Sequence, residues 1–221
     1  MNQLQYYLSD VKHRMSHFDT SRLRGTRTAD WLRPRAAFLR ELLHEPRAVG
    51  AVCASSFELA WRMASWVDPA QAGWVIELGG GTGTVTAALL QRGVPRERLI
   101  VIEQSLHFVH HLRGRFPGVR ICHADAADIA RTARGDRPVT AIVSGLPLRS
   151  LPADAVSRVV QACKGVLSPS SRVIQFTYAP RARSAWSAAG LRRIANEAVW
   201  HNLPPARIEV FTPASQVGAR D

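Results

Sequence analysis

Two carboxylates bracket a cluster of glycines in this chain. Glu77 sits in the apolar run Trp74-Val75-Ile76-Glu77-Leu78, which leads into Gly79, Gly80, Gly81, Thr82 and Gly83, and Thr84-Val85-Thr86-Ala87-Ala88-Leu89-Leu90 then begins a helix. An apolar run of that length reads as a buried parallel strand. Glycine after it lets the backbone turn sharply and come close to a ligand. Free amides at the start of the next helix favour a polar or anionic ligand. A second run, Leu99-Ile100-Val101-Ile102, ends in Glu103 and Gln104. A carboxylate there, about 20 residues beyond the glycines, suits the two hydroxyls of a ribose. Together these residues predict a nucleotide-cofactor site on a doubly wound α/β sheet.

The glycine spacing narrows the choice of cofactor. A dinucleotide loop has the form G-x-G-x-x-G, and counting from Gly79 and Gly81 puts Thr84 where its third glycine belongs. The pattern is E-x-G-x-G-x-G. It resembles motif I of the class I S-adenosylmethionine (AdoMet) methyltransferases. The resemblance implies that Glu77 helps hold the amino-acid end of the cofactor and that Glu103 and Gln104 hold its ribose. A third mark fits the same family: the strand Val119-Arg120-Ile121-Cys122 leads into His123-Ala124-Asp125-Ala126, and in that family Asp125 and Ala126 would face the adenine. The implied fold is a seven-stranded, mostly parallel, Rossmann-like sheet.

The same edge of that sheet must receive the methyl acceptor. Val139-Thr140-Ala141-Ile142-Val143 reads as the fourth strand and delivers Ser144-Gly145-Leu146-Pro147-Leu148. In open α/β sheets ligands sit outside the carboxyl ends of the strands, so this loop faces the transferable methyl. Amino-directed methyltransferases often read N-P-P-Y or N-L-P-Y here. Ser144 replaces the asparagine and Leu148 replaces the aromatic that would stack on a base, a poor arrangement for a flipped adenine. The fifth strand is expected at 173–178, ending in Tyr178, whose hydroxyl either orients a head group or caps a buried ring.

Four short stretches are similar to the bacterial phospholipid N-methyltransferases: 49–60, 144–148, 175–180 and 201–205. The first reads V-G-A-V-C-A-S-S-F-E-L-A, with Ala54 where that family has proline. The resemblance implies stepwise methylation of phosphatidylethanolamine towards phosphatidylcholine by a peripheral protein at an anionic membrane surface. It assigns acceptor orientation to Ser144, Gly145, Leu146, Pro147 and Tyr178, with Ser144 also next to the cofactor. No residue is an obvious base. Ser144 and Tyr178 then orient the amine, with its proton passing to water or lipid phosphate. Two other functions remain open. One is methylation of RNA adenine at N6. The other is a catalytically silent binding protein on the same fold.

Composition bounds these readings. The chain has 221 residues, and Lys+Arg is 29 against Asp+Glu 17, a formal charge of +12. Lys12 and Lys164 are the only lysines. Such an excess of arginine points to a polyanionic partner, an anionic membrane or RNA. Cys53, Cys122 and Cys163 lack C-x-x-C spacing and read as reduced cysteines of a cytosolic protein. No apolar stretch reaches the roughly 18 residues of a spanning helix. The expected location is cytoplasmic, peripheral on the inner face of the membrane, with no obligate protein partner implied.

The elements that frame the site are expected as follows. Residues 2–18 form an amphipathic helix, with Leu4, Tyr7, Leu8, Val11, Met15 and Phe18 on one face and Lys12, His13, Arg14 and His17 around it. A basic loop (19–29) and a second helix (31–44) follow. Ser55 and Glu58 make a capping box for a helix over 56–67. Further helices are expected at 84–92, 105–115, 126–134, 153–167 and 182–192, and residues 194–200 and 207–211 form a closing antiparallel pair. His107, His110 and His111 share one helix face but lack an accompanying base or cysteine pair, so no metal site is expected. The domain division is 1–45 for the N-terminal helices, 46–213 for the methyltransferase domain and 214–221 for a tail.

Overall fold

The computed structural model describes residues 57–133, 137–178, 183–200 and 205–214. The chain divides into two units, Met1–Glu41 and Leu42–Asp221, and every described residue belongs to the second. The expected helices at 2–18 and 31–44, the basic loop, the stretch around Ser55, Ala179-Pro180, His201 to Pro204 and the tail from 215 lie outside the described residues.

Seven strands form one sheet in the order β3-β2-β1-β4-β5-β7-β6. They are β1 (Trp74–Leu78), β2 (Leu99–Glu103), β3 (Arg120–His123), β4 (Val139–Ser144), β5 (Leu167–Thr177), β6 (Leu191–Val199) and β7 (Ala206–Pro213). The first five run parallel, and β7 lies antiparallel between β5 and β6. β1 and β4 are neighbours, although the chain visits β2 and β3 between them. That reversal opens a crevice at their carboxyl ends.

The central strands are mostly apolar because helices cover both faces. The helices are α1 (57–65), α2 (Thr84–Gln91), α3 (Leu106–Arg115), α4 (Ile129–Thr132), α5 (Ala153–Lys164) and α6 (Ala185–Ala188). Alternate strand residues go to opposite sides. Val75, Val101, Val143 and Ile174 join Leu59, Met63, Leu89 and Leu112 from α1, α2 and α3. Ile76, Leu78, Ile102 and Val173 join Ile129, Val160, Cys163 and Trp186 from α4, α5 and α6. Burial pushes the Cys163 thiol up to about 12, which keeps it un-ionised and inert.

Three elements depart from the sequence expectation. β5 begins at Leu167 rather than near 173. Its first half, Leu-Ser-Pro-Ser-Ser, has no apolar alternation. It is held to β4 by polar bonds instead, Ser171 Oγ donating to the Val139 carbonyl at 2.6 Å. The helix expected over 182–192 is only the single turn α6. Gly190, at φ 89°, follows it, and Leu191 enters β6 to pair with Pro213, so pairing with β7 overrides the local helical pattern. The helix expected to reach 167 stops at Lys164. The closing antiparallel pair occurs as expected.

Phe211 on β7 is fully buried among the residues under α6. Replacing it with alanine (Phe211→Ala) should lower stability in urea unfolding by about 3–5 kcal/mol, the usual result of emptying an aromatic site that cannot collapse. A loss under about 1 kcal/mol would mean that β7 does not close the core as described.

Candidate active site

The glycine turn forms at the end of β1 because its backbone must be left-handed at several points. Gly79 has φ 77° and Gly83 has φ 82°. A Cβ on Gly79 would lie 2.8 Å from Leu146 Cδ2, and one on Gly83 would lie 2.4 Å from Phe116 Cε2. Neither position tolerates a side chain, because both the backbone angle and the space exclude one. Gly80 is buried against Val101 and Leu112, while Gly81 opens onto free space. The Thr82 side chain is exposed, and its carbonyl accepts a hydrogen bond from the Arg115 guanidinium at 2.6 Å.

Glu103 is positioned by β2 and fixed by the backbone around it. Its Oε2 accepts from the Gly81 amide at 3.0 Å and its Oε1 from the Ser105 amide at 2.7 Å. One carboxylate therefore ties the glycine turn to the start of α3. Each of its oxygens keeps a lone pair for a further donor such as a sugar hydroxyl. Gln104 is exposed beside it, its carbonyl 3.1 Å from His123 Nε2. Asp125 is exposed at the end of β3 and caps the short 3-10 turn Ala126–Asp128, its Oδ1 accepting from the Ala127 amide at 2.8 Å. Ala126 is buried under that turn.

Glu77 is in a different environment. It is fully buried. Its Oε2 accepts from the Thr86 hydroxyl at 2.6 Å, while its Oε1 is buried without a partner. Burial pushes its pKa up to about 8, the nearby Glu103 carboxylate adds to that, and hydrogen bonding from Thr86 pulls the other way. An unpaired buried carboxylate oxygen is expensive to keep. It leaves a place for one more hydrogen-bond donor or cation inside the turn.

The acceptor loop lies directly against this turn. The Gly145 amide donates to the Leu78 carbonyl at 2.8 Å, and a Cβ on Gly145 would meet the Gly79 carbonyl at 2.9 Å. The fourth and first strands thus bring their ends into backbone contact. Ser144 is fully buried, and its hydroxyl accepts from the Leu146 amide at 3.4 Å across the turn. Leu146 is half-buried over Gly79 and Pro147 is exposed. Tyr178 is exposed just past β5 and meets Phe176 edge-on at 5.4 Å.

The sequence assigned no role to two residues that contribute here, although Gln175 opens the stretch 175–180 singled out above. Thr86 holds Glu77 from the first turn of α2. Gln175, buried near the carboxyl end of β5, donates from Nε2 to the Leu146 carbonyl at 3.0 Å, and its Oε1 accepts from the Trp186 indole at 3.3 Å. Gln175 braces the acceptor loop from behind. The available signal was a glutamine inside the otherwise apolar run Val173-Ile174-Gln175-Phe176, where a buried polar side chain needs partners. Among the described residues no group of His, Cys, Asp or Glu stands close enough to hold a metal ion.

Comparison with known proteins carries the assignment further. The family described as a methyltransferase domain matches residues 75–170. An ornithine lipid N-methyltransferase of Singulisphaera acidiphila is 30% identical over 178 residues, which is 76% of this chain and 91% of that protein. The chain belongs to the class I AdoMet-dependent methyltransferases. A ribosomal RNA small subunit methyltransferase A of Anaeromyxobacter sp. strain K is 29% identical over 161 residues, covering 66% of this chain and 55% of that protein. Among solved structures, magnesium protoporphyrin IX methyltransferase of Synechocystis PCC 6803 with bound AdoMet shares the fold at TM-score 0.61 and 13% identity, over 85% of this chain and 95% of that one.

AdoMet is the methyl donor of this methyltransferase, and when bound it supplies an electrophilic methyl group with its leaving group already attached. The residues fit such a ligand: a preset carboxylate at β2 for hydroxyls, an open glycine turn, and a buried carboxylate oxygen lacking a donor.

The raised pKa of Glu77 has a consequence for stability. Because the folded value lies above the ordinary 4.5, the folded chain retains a proton that the unfolded chain releases. This contribution is fully present below about pH 4.5 and is lost as the pH rises through about 8. In urea unfolding without AdoMet, stability relative to Glu77→Gln should therefore decline between about pH 5 and 8.5. A wild-type-minus-variant difference independent of pH would show that the buried carboxyl does not titrate in that window.

Proposed function

We propose that this methyltransferase acts on the amine of a phospholipid head group, converting phosphatidylethanolamine towards phosphatidylcholine at an anionic membrane surface on the cytoplasmic side. The observation that carries the lipid-amine part of the reading is the ornithine lipid N-methyltransferase of S. acidiphila, whose similarity extends over 91% of its length; the phosphatidylethanolamine head group rests on the resemblance of residues 49–60, 144–148, 175–180 and 201–205 to the phospholipid N-methyltransferases. The acceptor loop supports it. Ser144-Gly145-Leu146-Pro147-Leu148 offers neither an amide side chain nor an aromatic ring to a nucleobase, and Leu148 is buried. Among the described residues no helix is long and apolar enough to cross a membrane. Contact with the bilayer is assigned to the N-terminal segment 1–45, through the amphipathic pattern of residues 2–18.

In this reading Glu103 and Gln104 hold the ribose, Asp125 and Ala126 flank the adenine, and Gly79 to Gly83 with Glu77 receive the amino-acid end of the cofactor. Ser144 shapes the turn, so that backbone carbonyls of the loop, rather than its hydroxyl, aim the amine. Tyr178 orients the head group from the rim. A primary ammonium loses a proton before its nitrogen can attack. The side chains of Ser144, Leu146 and Pro147 include no base, so the proton leaves to water or to the lipid phosphate.

Methylation of RNA adenine is the second reading, favoured by the ribosomal RNA methyltransferase of Anaeromyxobacter and by the +12 charge. Labelled AdoMet supplied with phosphatidylethanolamine-containing anionic vesicles and with RNA separates the two. Label is expected in the lipid. Label in RNA adenine with none in lipid would overturn the lipid reading.

The cofactor assignment has its own test. Glu103→Ala removes charged hydrogen bonds worth roughly 1.5–3 kcal/mol each. AdoMet affinity measured by calorimetry should fall at least about tenfold while the variant keeps its circular dichroism spectrum. An unchanged dissociation constant would remove Glu103 from the ribose site.

A further inference from the structure

Few large hydrophobic side chains are exposed among the described residues, and three of them share one edge of the sheet. Leu106 (52% exposed) follows the end of β2, Tyr178 (41%) follows β5 and Trp200 (75%) follows β6. β6 runs parallel to β5, since each is antiparallel to β7, so all three stand at the carboxyl ends that carry the acceptor loop. Exposed Pro147 lies between them. With strands about 4.8 Å apart, the five steps from β2 to β6 spread this row over roughly 24 Å. A cation accompanies it: Arg149, exposed, stands two residues beyond Pro147.

We propose that this edge is a docking face for an anionic lipid bilayer, so that the acceptor loop opens directly onto the head groups. The inference rests on the lipid-acceptor reading and adds a second membrane contact, separate from the N-terminal segment. Charge complementarity selects the partner, since exposed Arg149 borders the row and the chain as a whole is strongly positive. The side chains select it too. Tryptophan and tyrosine favour the head-group region of a bilayer, one end of the ring apolar and the other wet.

The test uses the full chain with vesicles of phosphatidylglycerol and phosphatidylethanolamine. In the double variant Leu106→Ser, Trp200→Ser, partition into vesicles and methylation of vesicle lipid should each fall about tenfold. The rate on a short-chain phosphatidylethanolamine kept below its micellar concentration should stay unchanged. A second readout isolates Trp200 from Trp31 of the N-terminal segment by difference: lipids brominated in their acyl chains should quench less tryptophan fluorescence in Trp200→Phe than in the wild type. Unchanged partition in the double variant, or unchanged quenching in Trp200→Phe, overturns the docking face. The acceptor reading then still stands, provided the wild type methylates lipid. Label in RNA and none in lipid from the wild-type chain removes the acceptor reading and this inference with it. Loss of RNA binding in the double variant with vesicle binding intact reassigns the edge to nucleic acid.

Discussion

The backbone contact between the ends of β1 and β4 is the constraint on which the site depends. Gly145 donates to Leu78 at 2.8 Å, and its missing side chain is what lets the Gly79 carbonyl come so close. These strands are neighbours only because the sheet reverses its order between them. A cofactor loop and an acceptor loop that are 66 residues apart in sequence, counted from Gly79 to Gly145, therefore share a wall. Methyl transfer needs its two reactants aligned and dry more than it needs a reactive side chain. A rigid backbone junction supplies that alignment better than flexible side chains would.

Two buried polar side chains hold the junction from either side, and they differ in how well they are satisfied. Gln175 has partners for both its amide nitrogen and its carbonyl oxygen, which makes it a brace. Glu77 has an oxygen with none. A protein interior rarely leaves such an atom alone without a use for it. The satisfied residue keeps the acceptor loop still. The unsatisfied one stands near the end of β1, just before the glycine turn, held by Thr86 alone among the described residues.

Where the chain obeys simple periodicity, the fold is legible in its sequence. The strands β1, β2 and β4 are mostly apolar runs, and the turn after β1 announces itself by its glycines. The less regular elements were not legible. β5 starts early on a serine-rich stretch because Ser171 bonds to β4, a tertiary bond that no local pattern reveals. The segment after Tyr178 looked helical for eleven residues, yet strand pairing with β7 claims Leu191 onwards. In the candidate site, residue types singled out Glu77, Glu103 and Gly145, and the structure brings these to the ends of β1, β2 and β4. They gave no role to Thr86, and they marked Gln175 only as the start of the stretch 175–180; the contacts of both come from the fold. Nor could they show that Ser144 is buried, with its hydroxyl 3.4 Å from the Leu146 amide.

The arginine excess reads differently once its contacts are visible. Arg62 bridges Glu58 on its own helix and Glu197 on β6. These carboxylates raise its pKa, first by accepting its hydrogen bond at Glu197 and then by accepting those at Glu58. Arg193 meets Glu209 at 2.7 Å, Arg158 meets Asp154 at 2.9 Å, and Arg115 and Arg113 close on backbone carbonyls. The guanidinium group suits such work, since its several fixed donors reach a carboxylate or carbonyl while the stem covers apolar surface. Exposed pairs of this kind contribute only about 0–1 kcal/mol each; Arg62 joins a helix to a strand, Arg193 joins two strands and Arg158 stays within its helix. Part of the positive charge is thus structural, and the net +12 overstates what is available to a polyanion. Arg149 is exposed at the carboxyl ends of the strands, on the edge that also carries exposed aromatic and aliphatic side chains, and a bilayer surface engages such a combination with both its charge and its apolar interior.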